Sequence, residues 1–295
     1  MVPAAVSPHV TFDRLLLAWQ LQPLALASLA VVVLVGFAYV AGVRRVQRRG
    51  RAWSRWKTAS FVGGLASIVV AVNSGLASYD DSVFTMHVIQ HLILMSTAPP
   101  LLALGSPVTL LLQASSRDTK RVVLKVLHSR PARMLSFPLV GLAVSTVVMY
   151  GYFLTPLYDA SLVHPLLHDA THVVFLAAGS LYWWPIVGTD PIPRRMGVGA
   201  RMASLGLAIP FNAFLGIAVM NMSSPIAPRY SLTDTQSGGA LLWGLGELFT
   251  LGALGVLFRE WAKVEERRAA REDRRLDAER LAARNPGSAA AGDRS

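Results

Sequence analysis

Seven stretches of this chain are long and apolar enough to cross the hydrocarbon core of a bilayer, which takes about 20 helical residues. Only 15% of the residues are charged and 53% are hydrophobic, whereas roughly 25% of the residues in a soluble domain are charged. The sequence therefore predicts an all-α, multi-pass membrane protein built as a bundle of seven transmembrane helices. The predicted spans are 23–43, 58–78, 83–113, 134–155, 165–187, 201–222 and 238–258.

The third stretch is longer than one span and contains two potential breaks. Pro99-Pro100 interrupts its middle, and Gly105-Ser106-Pro107 follows a few residues later. Proline removes a backbone donor and clashes with the preceding turn of a helix. We therefore expect a helix to about Ala98, followed by a broken second piece near the far interface.

Basic residues are distributed unevenly among the segments that join the spans. Of the 28 Lys and Arg residues, 26 lie on one side of the predicted bundle, and only Arg14 and Arg229 lie on the other. The positive-inside rule then predicts an external N-terminus and a cytoplasmic C-terminus. We expect an extracytoplasmic segment at 1–22, a membrane domain at 23–262 and a charged, partly disordered cytoplasmic tail at 263–295. Because the positive charge follows this topology, it does not indicate a nucleic-acid partner.

Five of the seven histidines form two close groups near the predicted outer face of the membrane. His87 and His91 lie in the third span, and His164, His168 and His172 lie at the start of the fifth. A spacing of four residues places two imidazoles on one face of a helix, one turn apart. Each group can therefore direct two ring nitrogens towards a common ligand.

The two groups are also predicted to lie at one depth. Asp81 or Ser82 suits the N-cap of the third span, and His164 followed by Pro165 suits that of the fifth. Both pairs then lie roughly 6–14 Å below their helix starts and can supply four nitrogen ligands. His164 and His172 are about 12 Å apart along the helix axis, so one ion cannot bind all three histidines of the second group.

Buried polar side chains in a membrane are costly and usually functional, which favours binding of a metal or cofactor by these histidines. Hydrogen-bonded histidines that line a wet outer vestibule are the alternative. The absence of cysteine excludes disulfides, iron–sulfur clusters, zinc ribbons and thiol nucleophiles.

Copper, as Cu(I), is the favoured ion. The segment from His87 to His91 lacks the Glu of an H-E-x-x-H zinc protease. Met95 continues the same face one turn deeper, and thioether together with imidazole suits Cu(I). Glu247 is predicted near the same depth in the seventh span, where it is a ligand, a proton carrier or a protonated, hydrogen-bonded acid.

Four segments form a specific set of motifs across residues 20–262. They are F-T-M-H-V-I-Q-H-L-I-L-M-S-T-A-P-P-L-L-A-L-G-S-P at 84–107, Y-D at 158–159 with H-P-L-L-H-D-A-T-H at 164–172, W-W-P at 183–185, and G-G-A-L-L-W-G-L-G-E at 238–247. Together they resemble the seven-helix CtaG family of cytochrome c oxidase assembly factors. The resemblance implies a role in maturing caa-type or related haem–copper oxidases, at the step of copper loading.

The leading hypothesis is therefore a non-catalytic assembly factor, or copper chaperone, of the bacterial plasma membrane. It would bind Cu(I) at the outer face and pass it to a subunit of a haem–copper oxidase, with a copper donor protein and membrane lipid as further partners. The candidate metal ligands are His87, His91, His164, His168, His172, Met95 and Glu247.

Two other classes of protein fit the same histidines. One is a b-type haem protein, with one histidine from each helix as an axial ligand. The other is a seven-helix zinc-dependent lipid hydrolase, in which Asp169 or Glu247 would activate a zinc-bound water.

Overall fold

The computed structural model describes residue 13 and residues 18–193 and 196–284, which form helices and loops without a strand. The predicted segment 1–22 and the end of the predicted tail lie largely outside these described residues. The helices are α1 (Pro23–Arg48), α2 (Arg55–Asn73), α3 (Gly75–Tyr79), α4 (Phe84–Leu92), α5 (Ala98–Leu104), α6 (Pro107–Ala114), α7 (Arg117–Leu127), α8 (Arg130–Leu135), α9 (Pro138–Phe153), α10 (Leu157–Val163), α11 (Pro165–Val187), α12 (Val198–Met220) and α13 (Leu232–Arg284), with a π-helical turn (Ile93–Thr97) between α4 and α5.

Six helical stretches of the described residues are long and apolar enough to cross a membrane, or seven if two helices joined by a 67° bend form one span. The bent pair is α9 and α10, which replace the predicted span 134–155. α9 has only 16 residues and is about 24 Å long, because Pro156 biases Thr155 away from helical geometry. An all-helical, multi-pass membrane protein is confirmed, whereas the number of seven spans and their orientation stay predictions.

The helix of the third span runs further than the sequence predicts before it breaks. The helix does not end near Ala98 but passes through the π-helical turn to Leu104. Pro99 and Pro100 lie in the first turn of α5, where a missing backbone donor is tolerated. The chain breaks only beyond Leu104, where Ser106 adopts a left-handed backbone conformation with a φ of 52°.

A carboxylate from the last helix holds the start of α4. Asp234, in the first turn of α13, accepts hydrogen bonds from the backbone N–H groups of Phe84 (2.6 Å) and Thr85 (3.1 Å) and from the Thr85 hydroxyl (2.6 Å). A helix start leaves its first N–H groups without intrahelical partners, so this contact fixes the helix that carries the first histidine pair. The predicted cap by Asp81 or Ser82 is wrong, because the capping group comes from a distant part of the chain.

Two glycines allow the helices around the histidines to approach closely. Gly238 of α13 lies against the ring of Phe84 in α4, and Gly179 of α11 lies against the backbone of Met95 in the π-helical turn. A Cβ atom at either glycine would overlap those atoms. The third span is therefore packed directly on α11 and α13.

The last helix extends well beyond the membrane-spanning stretch. α13 contains 53 residues and ends at Arg284, so the helix continues without a break into the charged residues. Exposed ion pairs such as Arg275 with Glu279, 2.9 Å apart, follow the helix spacing of four residues.

Candidate metal centre

The two histidine pairs occupy the same register in neighbouring helices. His87 and His168 are each the fourth residue of their helix, α4 and α11 respectively. His91 and His172 are each the eighth. The two pairs therefore lie at matching positions within their helices, as expected, whereas their depth in a membrane stays a prediction.

The four imidazoles form one cluster in which each ring lies close to two others. The ring centroids of His87 and His168 are 5.3 Å apart, and those of His91 and His172 are 5.7 Å apart. Along each helix the corresponding centroid distances are 4.5 Å for α4 and 4.7 Å for α11. The structure thus brings together all four histidines of the two predicted pairs.

Most of these rings are buried and have free nitrogen atoms. His87 and His91 are 0% and 1% exposed, and their Nε2 atoms lie 2.8 Å apart. Their Nδ1 atoms, and both ring nitrogens of His172, are buried without a hydrogen-bond partner. Buried polar atoms are normally paired, so each of these three rings has an unsatisfied nitrogen, while the two Nε2 atoms are close enough to share one ion.

Two overlapping groups of side chains have the spacing of a metal site. The inner group is His87, His91 and His168, and the outer group is Asp80, His168 and His172. Within each group the ligand atoms lie within 4.8 Å of one another, whereas tetrahedral ligands at about 2.1 Å from an ion are about 3.4 Å apart. Small side-chain rotations would bring either group around an ion, and His168 belongs to both.

A tyrosine from α9 contacts the inner group. The Tyr152 hydroxyl lies 3.0 Å from His87 Nε2 and 2.9 Å from Ser161 Oγ. The hydroxyl of Ser161 in turn donates to the carbonyl oxygen of Tyr158 at 2.7 Å. This buried chain of hydrogen bonds fixes the orientation of the His87 ring, as the outer-shell partners of metal ligands commonly do.

Aromatic rings close the inner group off from lipid and water. The Phe175 ring lies 4.1 Å from that of His91, and the Tyr158 ring lies 5.1 Å from that of His87, both measured between centroids. Both aromatic residues are 1% exposed. An ion in the inner group would therefore be enclosed and shielded from water.

The outer group faces a cavity of about 160 Å³. Its polar lining includes the side chains of Asp80, Asp81, His168, Asp169 and His172. The carboxylate oxygen Oδ2 of Asp80 lies 3.7 Å from His168 Nε2. A path for small polar species therefore reaches the outer group, whereas the inner group lies behind it.

The environment of Asp80 disfavours the charged form of its side chain. Its side chain is buried, and the hydroxyl of Tyr230 donates to its backbone carbonyl oxygen at 2.8 Å. Burial, followed by the negative charge of Asp81, raises the pKa of Asp80 to about 8. A cation beside this carboxyl group would lower its pKa and stabilise the charged carboxylate.

The remaining predicted ligands lie outside both groups. His164 is the N-cap of α11, as predicted, and is exposed. Met95 is buried and lines a separate inner cavity with Tyr150 and Asn212. Both carboxylate oxygens of Glu247 are buried without a hydrogen-bond partner, but neither group includes this residue. A role for these three side chains in metal binding stays a prediction.

Sequence reasoning missed Tyr152 and Asp80. Tyr152 comes from the fourth predicted span, and no local pattern links it to the histidines. Asp80 had a weak signal, because two consecutive acids, Asp80 and Asp81, precede the third span on the side of the histidines. Neither residue was expected to contact the candidate site.

Comparison with known proteins places this site within a family. The family model described as cytochrome c oxidase caa3 assembly factor (Caa3_CtaG) matches residues 37–264. This match contains both groups and begins within α1.

The chain is also similar to curated mycobacterial proteins. Uncharacterized proteins of Mycobacterium bovis and Mycobacterium tuberculosis are each 31% identical over 91% of this chain, and one of Mycobacterium leprae is 32% identical over 84%. The chain spans only 43%, 43% and 40% of the length of these relatives. No solved structure matches it.

Proposed function

The chain belongs to the family of cytochrome c oxidase caa3 assembly factors, and from this premise we propose that it assembles the oxidase by binding copper as Cu(I). The copper lies in the histidine cluster at the outer face of the bacterial plasma membrane. The observation that carries the proposal is the convergence of buried ring nitrogens in the inner group. The role is non-catalytic: the protein holds the ion and passes it to an oxidase subunit.

The chemistry of the donors supports copper over the hard cations. The inner group offers three imidazoles and no carboxylate, and imidazole suits copper and zinc, whereas magnesium and calcium prefer oxygen. The chain has no cysteine, so its site lacks the thiolates that hold copper or zinc most tightly. A site built from imidazoles suits an ion that is later released.

The geometry gives less support to haem. The planes of the His87 and His168 rings are stacked at 11°, with centroids 5.3 Å apart, which leaves no slot for a macrocycle between the two helices. The cavity of about 160 Å³ at the outer group is smaller than the roughly 300–1,000 Å³ of typical small-molecule sites, and the apolar cavity of about 600 Å³ that Leu24 and Trp184 also line touches only His172 of the four histidines. An ion fits this space better than a porphyrin does.

A zinc-dependent lipid hydrolase is also less well supported. Hydrolysis needs an open coordination position that a substrate can reach. The inner group has three histidines, but His87 and His91 are 0% and 1% exposed. Asp169, the candidate base, lies 3.9 Å from His172 Nδ1, in the outer part of the site. A binding role therefore accounts for the burial of the inner group better than a catalytic role.

The experiment replaces both histidines of α4 in cells that produce the oxidase. A His87→Ala/His91→Ala variant is expected to reach the membrane in normal amounts, while the purified oxidase contains no copper by elemental analysis. A His164→Ala variant is the control, because this exposed histidine lies outside both groups. Normal copper content of the oxidase with the double variant would contradict the proposal.

A further inference from the structure

The inner and outer groups differ in how accessible they are to an ion from outside the protein. His87 and His91 are 0% and 1% exposed and contact the rings of Tyr158 and Phe175. The outer group lines the cavity of about 160 Å³, and the side chain of His168 is 13% exposed. An ion that arrives through this cavity therefore meets the outer group first.

We propose that Asp80, His168 and His172 form a receiving site for the cation, distinct from the buried inner group. This inference rests on the proposed function, because it concerns the route of the same ion. The ion enters the outer group and then moves to the inner group while it stays bound to His168. In this transfer the same ring nitrogen of His168 serves both groups, so one chain holds one ion at a time.

The strongest support comes from His172. Its ring is 8% exposed, both of its nitrogens lack a hydrogen-bond partner, and it lines the cavity. A buried imidazole with two unpaired nitrogens loses hydrogen bonds that it would have made to water. A cation bound at one of these nitrogens would restore part of that loss.

Charge at the cavity favours a cation as the occupant. Three carboxyl groups, those of Asp80, Asp81 and Asp169, lie in its wall. Arg229 pairs with one of these carboxyl groups, since its Nη1 lies 3.7 Å from the Asp81 carboxylate. Two carboxyl groups are then left to attract an incoming ion, and a cleft lined by one sign of charge raises the local concentration of the opposite sign.

His168 is placed to serve both groups. Its ring centroid lies 4.7 Å from that of His172 and 5.3 Å from that of His87. In the transfer, the bonds from the ion to Asp80 and His172 break while bonds to His87 and His91 form. The bond to His168 is kept and the oxidation state of the ion does not change, so the step needs no oxidant or reductant.

The kinetic test uses Cu(I) and the full chain in detergent, under anaerobic and reducing conditions, with a chromogenic chelator as the competitor. Asp80→Asn is expected to slow Cu(I) uptake by about tenfold or more, while the final stoichiometry stays that of the wild type. His172→Ala should slow uptake as well. Asp159→Asn is the matched control, because this acid is exposed on the same predicted side and does not line the cavity. Uptake at the wild-type rate in both cavity variants would overturn the proposal.

An equilibrium test separates the two groups. The His87→Ala/His91→Ala variant is expected to keep a Cu(I) site that is about tenfold or more weaker than that of the wild type, and adding Asp80→Asn should abolish it. No Cu(I) binding by the double variant would refute a separate outer site, as would two ions bound at once to the wild type. The copper content of the oxidase decides the proposed function independently, since it can fall in the double variant whichever way this test ends.

Discussion

The Nε2 atoms of His87 and His91 lie 2.8 Å apart in a buried site, one helical turn from each other. At that distance one proton can lie between them, so one ring donates and the other accepts, and the two rings hold different tautomers. A cation can replace that proton if the nitrogens separate to about 3.4 Å. The second contact of His87 Nε2, with the Tyr152 hydroxyl, lies beside this position.

The Tyr152 hydroxyl is expected to contribute to the metal affinity through His87. Tyr152→Phe removes the group that lies 3.0 Å from His87 Nε2, and loss of such an orienting partner typically weakens metal binding by about tenfold or more. Tyr150→Phe is the control, since the Tyr150 hydroxyl donates to the Phe211 carbonyl instead. Competition with a Cu(I) chelator measures both affinities. Equal affinities for the two variants would contradict this role of Tyr152.

The Asp234 carboxylate is expected to matter both for stability and for the site. Asp234→Ala removes its three hydrogen bonds to Phe84 and Thr85 at the start of α4. Because hydrogen bonds to a charged group contribute about 1.5–3 kcal/mol each, the midpoint of thermal unfolding in detergent should fall clearly. Cu(I) affinity should fall as well, because α4 carries His87 and His91.

Asp190 offers a matched comparison at the start of another helix. Its carboxylate accepts from the N–H groups of Val108 and Thr109 and from the Thr109 hydroxyl in α6. Asp190→Ala should lower the thermal midpoint in the same way and leave Cu(I) affinity unchanged. A similar loss of affinity in both variants would show that general destabilisation, and not the position of α4, causes the effect.

The close contact at Gly179 predicts a specific loss of stability. Gly179→Ala would place a Cβ atom on the backbone of Met95, forcing α11 away from the π-helical turn. Gly206→Ala, in α12, meets no atom within 4 Å and should stabilise its helix by about 0.5–1 kcal/mol. The midpoint of thermal unfolding should therefore fall in the Gly179→Ala variant and rise in the Gly206→Ala variant. A higher midpoint for Gly179→Ala would refute the close contact between α11 and the π-helical turn.

The orientation in the membrane is testable because the chain has no native cysteine. Asp159→Cys should react with a membrane-impermeant thiol reagent added to intact cells, because residues near 159 are predicted to lie outside. Asp118→Cys, whose native side chain is 88% exposed, should react only after the membrane is opened. Labelling of both positions from outside would contradict the predicted orientation.

Much of the candidate site could be predicted because its information is local. A spacing of four residues places His87 beside His91, and Pro165 marks the start of the helix that carries His168 and His172. These local signals were enough to predict that the two pairs occupy matching positions along neighbouring helices. The helical, multi-pass character could also be predicted, from the length of the apolar stretches and the low fraction of charged residues.

The remaining features depend on contacts between distant segments. Asp234 caps a helix that begins 150 residues earlier in the chain, and Asp80 and Tyr152 reach the histidines from other elements. The π-helical turn at Ile93–Thr97 also changes the register of the third span beyond His91. Met95 therefore lines the inner cavity, a result that the regular helical period did not predict.

The most direct test of the account is the copper content of the purified protein after a wash with a competing chelator. We expect about one tightly held copper ion per chain in the wild type, clearly less copper in the His87→Ala/His91→Ala variant, which keeps only the weaker outer site, and no haem absorption in the optical spectrum of either. Absence of copper from the wild type after loading with Cu(I), or equal retention by both proteins, would contradict a copper site in the inner group.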